Sequence, residues 1–320
     1  MSGKETIGLD LGGTKMHVGV LDGGSNVLWE SRERSTGQTE PELVEMIERE
    51  VAEALQARPG AAAVGLGIPA TIDQARGVAI TAVNLSFDEV PIRERVAERV
   101  DLPVFVDNDA NLAMLAEHLY GAARGARNAV MLTIGTGIGG GLVIGGQLYR
   151  GSVGAGAELG HIVIDFDGEP CQGNCPGRGH AETLASGTAL GREGQAAAQR
   201  APESALGRLL ADGLEVDGRA VTAAARDGDE VAKEVVALIG RRLGAALTSL
   251  ANVFEPDVIV IGGGVSAAGE LLLEPAREEL RGGALRPMNE TEVAVAALGP
   301  DAGMIGAAAM ARIELERGDG

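Results

Sequence analysis

Two glycine turns, 123 residues apart, constrain the fold of this chain more than any other feature of its sequence. An apolar run over 6–11 leads into Gly12-Gly13-Thr14, and an apolar run over 130–134 leads into Gly135-Thr136-Gly137. Each turn is followed by another short apolar run, so each is expected to join two strands. Glycine permits a tight turn whose exposed N–H groups form an anion-binding concavity. We interpret the two segments as an internal repeat.

The repeat extends beyond the turns. Hairpin signals stand at the same offset. The first, Asp22-Gly23, predicts a type I′ turn, and the second, Gly145-Gly146, predicts a hairpin. The glycines over 135–141 formally contain a G-x-G-x-x-G dinucleotide fingerprint, but they continue into a strand over 142–144 instead of a helix. Two facing turns are expected to hold a polyphosphate from both sides, with Asp10 as a candidate ligand for Mg²⁺.

Strands and helices alternate along the rest of the chain. Thr39-Glu40-Pro41-Glu42 is a capping box with proline in the first turn, which predicts a helix start. A strand over 257–261 is followed by Gly262-Gly263-Gly264, which are predicted to open a helix from Ser266. A helix start after a strand and glycines suits a nucleotide phosphate or ribose, although glycine also serves simple close packing. The pattern predicts an α/β fold.

No low-complexity linker divides the chain, and the 320 residues suffice for two domains of ordinary size. The repeat divides it instead, near a helix expected over 110–120. The predicted small N-terminal lobe contains residues 1–112 plus 301–320, and the predicted large C-terminal lobe contains residues 113–300.

The charge balance excludes some classes of partner. The net charge of −19 disfavours nucleic acid and anionic membranes as broad-surface partners. The N-terminus shows no apolar signal region, and no apolar run is long enough to span a bilayer. We therefore expect a cytoplasmic protein, in which a stable disulfide is disfavoured.

Four polar side chains follow the strand expected over 104–106, in the segment Asp107-Asn108-Asp109-Ala110-Asn111. Open α/β sheets place ligands where a strand ends before a helix. The alternative interpretation is a helix N-cap, which Asp and Asn supply well. A cap requires one such residue, and four in five positions favour a site.

Both cysteines of the chain lie between two of its four histidines. The set is His161, Cys171, Cys175 and His180, in a segment rich in glycine and proline. Thiolate and imidazole are preferred ligands of zinc, and four of them close a tetrahedral site. The alternative is a pair of free thiols and two surface histidines. Because both cysteines fall in one loop, the sequence favours a metal site.

In combination these motifs resemble the ROK family of sugar kinases. The resemblance covers nearly the whole chain and rests on Asp10-Leu-Gly-Gly-Thr-Lys15, Gly67-Ile-Pro69, Asn108-Asp109-Ala-Asn111, Gly135-Thr-Gly137 and Glu158-Leu-Gly-His161. It implies the actin-like, hexokinase-like ATPase fold (ribonuclease H-like), with two lobes and the active site in the cleft between them. The implied reaction is ATP-dependent phosphorylation of glucose at the 6-hydroxyl.

The resemblance also implies a role for individual residues. Asp109 matches the catalytic base, and the other residues expected to bind the sugar are Asn84, Asn108, Glu158, His161 and Glu182. The residues expected to bind ATP and Mg²⁺ are Asp10, Gly12, Gly13, Thr14, Lys15, Thr136, Gly137, Gly263 and Gly264. Phosphoryl transfer independently requires a base beside the attacking hydroxyl and donors around the phosphates.

The zinc loop departs from the pattern of the family, Cys-x-Cys-Gly-x-x-Gly-Cys-x-Glu. The first spacing, from Cys171 to Cys175, is longer by two residues, and His180 stands where the third cysteine is expected. Histidine is an acceptable replacement that gives a Cys₂His₂ set, in which Cys171 is the least secure ligand. A closed set of four ligands implies a structural zinc that does not activate water.

Several alternatives stay open at this point. A kinase for another hexose or an N-acetylhexosamine, such as fructose or N-acetylmannosamine, would have the same fold and base. Inorganic polyphosphate is an alternative donor. A sugar-responsive repressor is a further alternative, and such a protein would carry a DNA-binding helix-turn-helix region before Asp10. Only nine residues precede Asp10 and the chain is acidic, so this function is disfavoured. The resemblance also implies a homodimer or homotetramer.

Overall fold

The computed structural model describes residues 3–82, 85 and 87–318. Within these residues the strands are β1 Thr6–Leu11, β2 Lys15–Leu21, β3 Val27–Arg34, β4 Val64–Ile68, β5 Thr71–Asp73, β6 Val78–Thr81, β7 Asp88–Val90, β8 Val104–Asn108, β9 Ala129–Ile134, β10 Ile138–Ile144, β11 Gln147–Tyr149, β12 Val258–Gly262 and β13 Glu292–Val295. The α-helices are α1 Glu40–Ala57, α2 Ile92–Val100, α3 Asp109–Tyr120, α4 Ala181–Ala185, α5 Gly187–Arg200, α6 Ala205–Ala211, α7 Gly218–Arg226, α8 Glu230–Phe254, α9 Glu270–Gly283 and α10 Ala302–Gly318. Short 3₁₀ turns occupy Leu159–His161, Gly264–Ala268, Met288–Glu290 and Gly299–Asp301.

The internal repeat is visible in the strand bounds. Both ends of β9 lie 123 residues after those of β1, and both ends of β10 lie 123 residues after those of β2. One five-stranded sheet has the order β3-β2-β1-β4-β8, and the other has the order β11-β10-β9-β12-β13. In each, the strand that begins the hairpin pairs in parallel with a later strand on its other side. The same connectivity is therefore built twice.

The chain divides into two compact units. Unit 1 contains residues 1–125, 141–157 and 297–320, and unit 2 contains residues 126–140 and 158–296. Compared with the predicted small lobe, unit 1 also contains residues 113–125, 141–157 and 297–300.

Helix α10 packs directly on the first sheet of unit 1. A Cβ on Gly65 of β4 would lie 1.9 Å from the carbonyl oxygen of Ala307, and one on Gly8 of β1 would lie 2.1 Å from that of Met304. These glycines let the helix backbone approach the strands. Aliphatic residues fill the surrounding core because only 2% of the chain is aromatic. The close approach brings the start of α10 to the end of β1.

Helices pack around the second sheet in unit 2. Helix α8 is capped by the Asp229 carboxylate, which accepts from Ala232 N, and it lies against α9, α7 and α5. A Cβ on Gly240 of α8 would lie 2.4 Å from the carbonyl oxygen of Leu272 in α9. The parallel strands β9 and β12 lead directly into the two glycine turns predicted in this unit, at Gly135 and at Gly263.

Two local predictions are wrong. The type I′ turn at Asp22-Gly23 is replaced by a longer turn, closed between Asp22 N and Asn26 O and held by the Asp22 carboxylate, which accepts from Gly24 N. No helix opens at Ser266. A 3₁₀ turn over Gly264–Ala268 ends at Gly269, whose φ of 60° reverses the chain before α9 begins at Glu270.

None of the helices formed by the residues described here has the length and apolar content needed to cross a membrane.

Candidate active site

The first glycine turn, in unit 1, lies between β1 and β2, and two hydrogen bonds fix its backbone. Gly12 N donates to Lys15 O at 2.8 Å, and the Ser35 hydroxyl donates to Gly12 O at 2.8 Å. Gly13, Thr14 and Lys15 are exposed, and a Cβ on Gly13 would meet no atom within 4 Å. The turn is therefore rigid in its backbone and open on its outer side, as a phosphate-binding turn requires.

Asp10 ends β1 and lies beside the first turn of α10. A Cβ on Gly303 would lie 2.5 Å from the Asp10 carboxyl carbon, so glycine makes the room for this side chain. Burial and, secondly, the negative charge of Asp109 raise the pKa of Asp10 to about 8. Among the described residues, no positive charge offsets this rise in the pKa of Asp10. A bound cation would supply that charge, and Mg²⁺ prefers carboxylate oxygen ligands. The residues present therefore fit Mg²⁺ at Asp10.

The segment that follows β8 holds Asp109 as the first residue of α3. The Asn108 side-chain oxygen accepts from Ala110 N at 2.9 Å and from Asn111 N at 3.2 Å, so Asn108 is the N-cap. Its amide nitrogen lies 3.4 Å from Ala70 O and retains capacity for a further acceptor. Asp109 is half-buried. The cap fixes the backbone on both sides of it.

Asn84, expected to bind the sugar, lies outside the described residues.

The second glycine turn, in unit 2, is held by residues that sequence reasoning missed. Gly187 N donates to Gly135 O at 2.8 Å, and the Thr188 hydroxyl donates to Thr136 O at 2.8 Å. A Cβ on Gly187 would lie 2.6 Å from Gly135 O, so the start of α5 presses against the turn. The helix-start sequence Ser186-Gly187-Thr188 was the available signal, because Ser186 caps α5.

Glu182 contacts this turn as well. Its carboxylate accepts from Ile138 N at 2.8 Å, and a Cβ on Gly137 would lie 2.1 Å from the same oxygen. Glu182 is buried, and it lies on α4 two residues after His180. The structure thus connects the predicted metal loop to the predicted phosphate turn through one carboxylate.

The third glycine site of unit 2 follows β12. Gly263 has a φ of 82°, and a Cβ there would lie within 2.4–2.6 Å of the Ile134 backbone. The Ser266 hydroxyl donates to Gly263 O at 2.7 Å. Gly263 and Gly264 are exposed. The positive φ and the close approach to the Ile134 backbone therefore require glycine at position 263.

Four predicted metal ligands converge in unit 2. The ligand atoms of His161, Cys171, Cys175 and His180 all lie within 4.8 Å of one another. Nδ1 of His161 lies 3.2 Å from Nδ1 of His180, 3.7 Å from Sγ of Cys171 and 3.6 Å from Sγ of Cys175. A tetrahedral zinc with ordinary bond lengths separates its ligand atoms by about 3.3–3.8 Å. The cluster therefore fits zinc, and Cys171 lies at ligand distance despite the longer loop.

A buried hydroxyl supports a thiolate at this site. Thr183 is 2% exposed, and its hydroxyl has no hydrogen-bond partner within the described part of the chain. Burial raises the pKa of the Cys171 thiol, and a hydrogen bond donated by the Thr183 hydroxyl would lower it. A metal-bound thiolate would be the acceptor that the hydroxyl lacks.

His161 has two distinct sides. Its Nδ1 faces the cysteines, whereas Nε2 lies 4.0 Å from a carboxylate oxygen of Glu158. Loss of water around the carboxyl raises the pKa of Glu158 although 54% of its side chain is exposed. The charge of His161 opposes this shift, and that of Glu182 adds to it. One ring therefore has a nitrogen for a metal and a nitrogen for a hydroxyl, as both predicted roles of His161 require.

Known proteins resemble this chain in sequence and in fold. The family model described as ROK family matches residues 6–314. The glucokinase of Streptomyces coelicolor is 39% identical over 96% of this chain and 97% of its own length. The crystal structure of a ROK family glucokinase from Streptomyces griseus, in complex with glucose and AMPPNP, has a TM-score of 0.87 and 38% identity and covers 97% of this chain and 99% of that one. The ROK hexokinase of Thermus thermophilus has a TM-score of 0.78 and 36% identity over 99% of this chain and 100% of that one.

The duplicated sheet and its paired glycine turns define the actin-like ATPase fold. Within that class, the chain belongs to the ROK family.

Proposed function

We propose that this protein transfers the γ-phosphoryl group of ATP to the 6-hydroxyl of glucose, giving glucose 6-phosphate and ADP. The observation that carries the proposal is the position of Asp109, which is fixed by the Asn108 cap at the start of α3 and lies near enough to Asp10 for their charges to interact. The glucokinase from Streptomyces griseus, solved with glucose and AMPPNP, supports the choice of both substrates. The protein is an ATP-dependent sugar kinase.

In this reaction the Asp109 carboxylate accepts the proton of the 6-hydroxyl as the oxygen bonds to the γ-phosphorus. The bond from that phosphorus to the β,γ-bridging oxygen breaks, and ADP leaves with the electron pair. Mg²⁺, when bound near Asp10, neutralises charge on the phosphates. Little covalent chemistry is left to the protein, so catalysis depends on positioning the groups and on donors around the phosphoryl oxygens.

Each unit contributes groups suited to these substrates. We assign the sugar hydroxyls to Asn84, Asn108 and Asp109 in unit 1 and to Glu158, His161 and Glu182 in unit 2. Carboxylates and a carboxamide are suitable partners for hydroxyl groups. Of these, Glu182 has one oxygen bound to Ile138 N, which leaves the other for a ligand.

We assign the phosphates and the adenosine to the glycine turns. The first turn supplies Gly12, Gly13, Thr14 and Lys15, and the second supplies Thr136 and Gly137. Gly263 and Gly264 flank the nucleoside. Thr188, exposed beside Thr136, joins this set because its hydroxyl is tied to the turn.

Zinc has a structural role in this scheme. The two thiolates and two imidazoles would fill the coordination of a bound zinc, which would leave no position for a reacting water. As a ligand through Nδ1, His161 would keep Nε2 free for a sugar hydroxyl. Cys171 and Cys175 form no disulfide, as is usual for cysteines in the reducing cytoplasm. This observation and the use of ATP as donor support a cytoplasmic location.

The decisive experiment replaces Asp109 with Asn and with Ala and measures ADP release with glucose and Mg-ATP. Without a base, kcat is expected to fall by about 10²–10⁴-fold. Asp212→Asn, an exposed carboxylate on unit 2, is the matched control and should retain wild-type turnover. Near wild-type turnover by the Asp109 variants would contradict the assigned mechanism.

The same assay across a panel of sugars and two donors tests the substrate. Glucose with ATP is expected to give the highest kcat/KM. A higher value for fructose, N-acetylmannosamine or another N-acetylhexosamine, or with polyphosphate as donor, would move the assignment while leaving the fold and base unchanged. A homodimer or homotetramer stays a prediction, which sedimentation of the wild-type protein tests.

A further inference from the structure

Arg150 and Asp107 form an ion pair directly behind the segment that carries Asp109. Nε of Arg150 lies 2.6 Å from Oδ2 of Asp107. The Asp107 side chain has 0% of its surface exposed, and Arg150 has 22%. A carboxylate removed from water to this degree requires a compensating cation, and Arg150 provides it.

The second oxygen of Asp107 binds both flanks of Asp109. Oδ1 accepts from the backbone N–H of Asn108 at 2.8 Å and from the side-chain amide of Asn111 at 3.1 Å. Asn108 in turn caps α3 through Ala110 N. One buried carboxylate therefore links the end of β8 to the first turn of α3, and Asp109 lies between these two attachments.

Arg150 is itself held in a folded segment. Gly156 N donates to Arg150 O at 2.8 Å, which closes the segment over 150–157. A Cβ on Gly154 would lie 2.3 Å from the carbonyl oxygen of Ile72, so the segment packs against β5. These backbone contacts fix the main chain of Arg150, so the position of its guanidinium does not depend on the side-chain conformation alone.

We infer that Arg150 is a positioning residue for phosphoryl transfer, because its ion pair with Asp107 fixes the backbone that carries Asn108 and Asp109. This role rests on the proposed function. Without Arg150, Asp107 is an uncompensated buried charge, and the end of β8 must shift or admit water to relieve it. A displacement of about 1 Å at a reacting group is enough to slow a reaction by about 10²-fold.

The pair makes a specific prediction about combined substitutions. Arg150→Met should lower kcat by about 10–100-fold, with the KM for ATP changed by less than about 3-fold because the nucleotide groups are untouched. Asp107→Asn should have a smaller effect, since the amide oxygen still accepts from Asn108 N and the partly exposed Arg150 can reach water. In the double variant, Arg150→Met should cost almost nothing further, because no buried charge remains to be compensated.

The experiment measures kcat and both KM values for wild type, the two single variants and the double variant, with urea unfolding of each to confirm that the assayed protein is folded. Arg150→Lys should recover part of the kcat lost in Arg150→Met. Arg95→Met removes the partner of Glu48 in a more exposed ion pair of the same unit and should leave kcat within about 2-fold of wild type.

If the two substitutions lower kcat independently, or if the loss is confined to KM, the role of Arg150 is overturned. Turnover by the wild-type protein would still support the proposed function in that case. If Arg150→Met fails to fold, the comparison of the double variant with Asp107→Asn still decides, since any large further loss of kcat refutes the linkage. If Asp107→Asn fails to fold, the comparison of Arg150→Met with Arg150→Lys decides, since equal losses of kcat refute the role of the guanidinium charge. Absence of turnover in the wild type would instead overturn the proposed function and, with it, this role.

Discussion

The absence of a side chain at Gly303 makes room for the carboxyl group of Asp10. Its carboxyl occupies the volume that a side chain at Gly303 would fill, since a Cβ there would lie 2.5 Å from its carbon and from one of its oxygens. Alanine has a higher helix propensity than glycine, so propensity alone would favour alanine at this second position of α10. The close contact indicates that glycine serves the carboxylate.

Gly303→Ala is therefore expected to separate stability from activity. The flexible Asp10 side chain can rotate away, so the free energy of unfolding should change by less than about 1 kcal/mol. Its displacement from the metal position should lower kcat by at least about 10-fold and raise the Mg²⁺ concentration needed for half-maximal rate. Gly282→Ala, in α9 with no atom within 4 Å of the added Cβ, is the matched control and should keep wild-type kinetics. Equal kinetics for both variants would contradict the role of Asp10.

The sequence did not reveal the individual roles of the polar residues at the end of β8 and the start of α3. The sequence set a helix cap and a ligand site as alternatives. The structure shows the cap at Asn108, and the ligand site stays a prediction. Asn108 is the cap, and Asp107 and Asn111 hold the backbone, which leaves Asp109 as the half-buried carboxylate. Residue types do not reveal which of them faces inward, and Arg150 is 43 positions from its partner.

Among the elements, those with strong local signals were predictable. The capping box predicted at Thr39 is present, with the Thr39 N–H donating to the Glu42 carboxylate at 2.7 Å, and α1 begins there. The offset of 123 was confirmed in the strands of both hairpins. The three-stranded sheet of β5, β6 and β7 was missed, because strands of three or four residues are too short to show a period.

The connection between β9 and β12 offers a test by pH. The Asp257 carboxylate accepts from Asn128 N at 2.9 Å and from Arg127 N at 2.8 Å, and these bonds hold the pKa of Asp257 below its usual range. A lowered pKa in the folded state adds stability above the unfolded pKa, about 3.9. That contribution disappears as the pH falls through the lower, folded pKa.

Asp257→Ala should accordingly cost about 1 kcal/mol of unfolding free energy at pH 7, a modest value because the carboxylate is exposed. The difference from wild type should shrink in acid below both pKa values. Urea unfolding at pH 7 and near pH 3 measures it, and comparison at each pH cancels any common loss of metal. Exposed Glu215→Ala is the control. A difference that persists unchanged in acid would show that the carboxylate charge is irrelevant.

The metal loop is the second element that carries a prediction. We expect about one zinc per chain by elemental analysis, and less in His180→Ala. Because Glu182 follows His180 and binds Ile138 N, removal of zinc should lower Tm and weaken binding of both sugar and nucleotide. Thermal unfolding and calorimetric titration with glucose and AMPPNP, before and after chelation, measure these effects. Absence of zinc together with no effect of chelation would refute the structural role, but the kinase assignment would survive.

At the scale of the whole molecule, the fold is built from small residues and carries a large charge. The chain has 49 glycines and 2% aromatics, so close backbone approach, such as that of α10 to β4, replaces bulky side chains in joining the layers. The sequence does not reveal the partner of each glycine, since a close approach depends on which elements become neighbours.

The net charge of −19 should make stability depend on salt. Like charges distributed over the surface repel in the compact state, and the repulsion extends about 30 Å at 0.01 M salt but only about 8 Å at 0.15 M. Raising NaCl between these values should therefore raise Tm, by roughly 2–4 °C for each kcal/mol of repulsion removed. Sucrose at equal osmolality separates screening from solvent exclusion, because it leaves the charges unscreened. The ion pairs of this chain, such as that of Arg32 with Asp301, are mostly exposed, and screening weakens them in the opposite direction. A fall in Tm over this range would mean that these pairs outweigh the repulsion among the excess carboxylates.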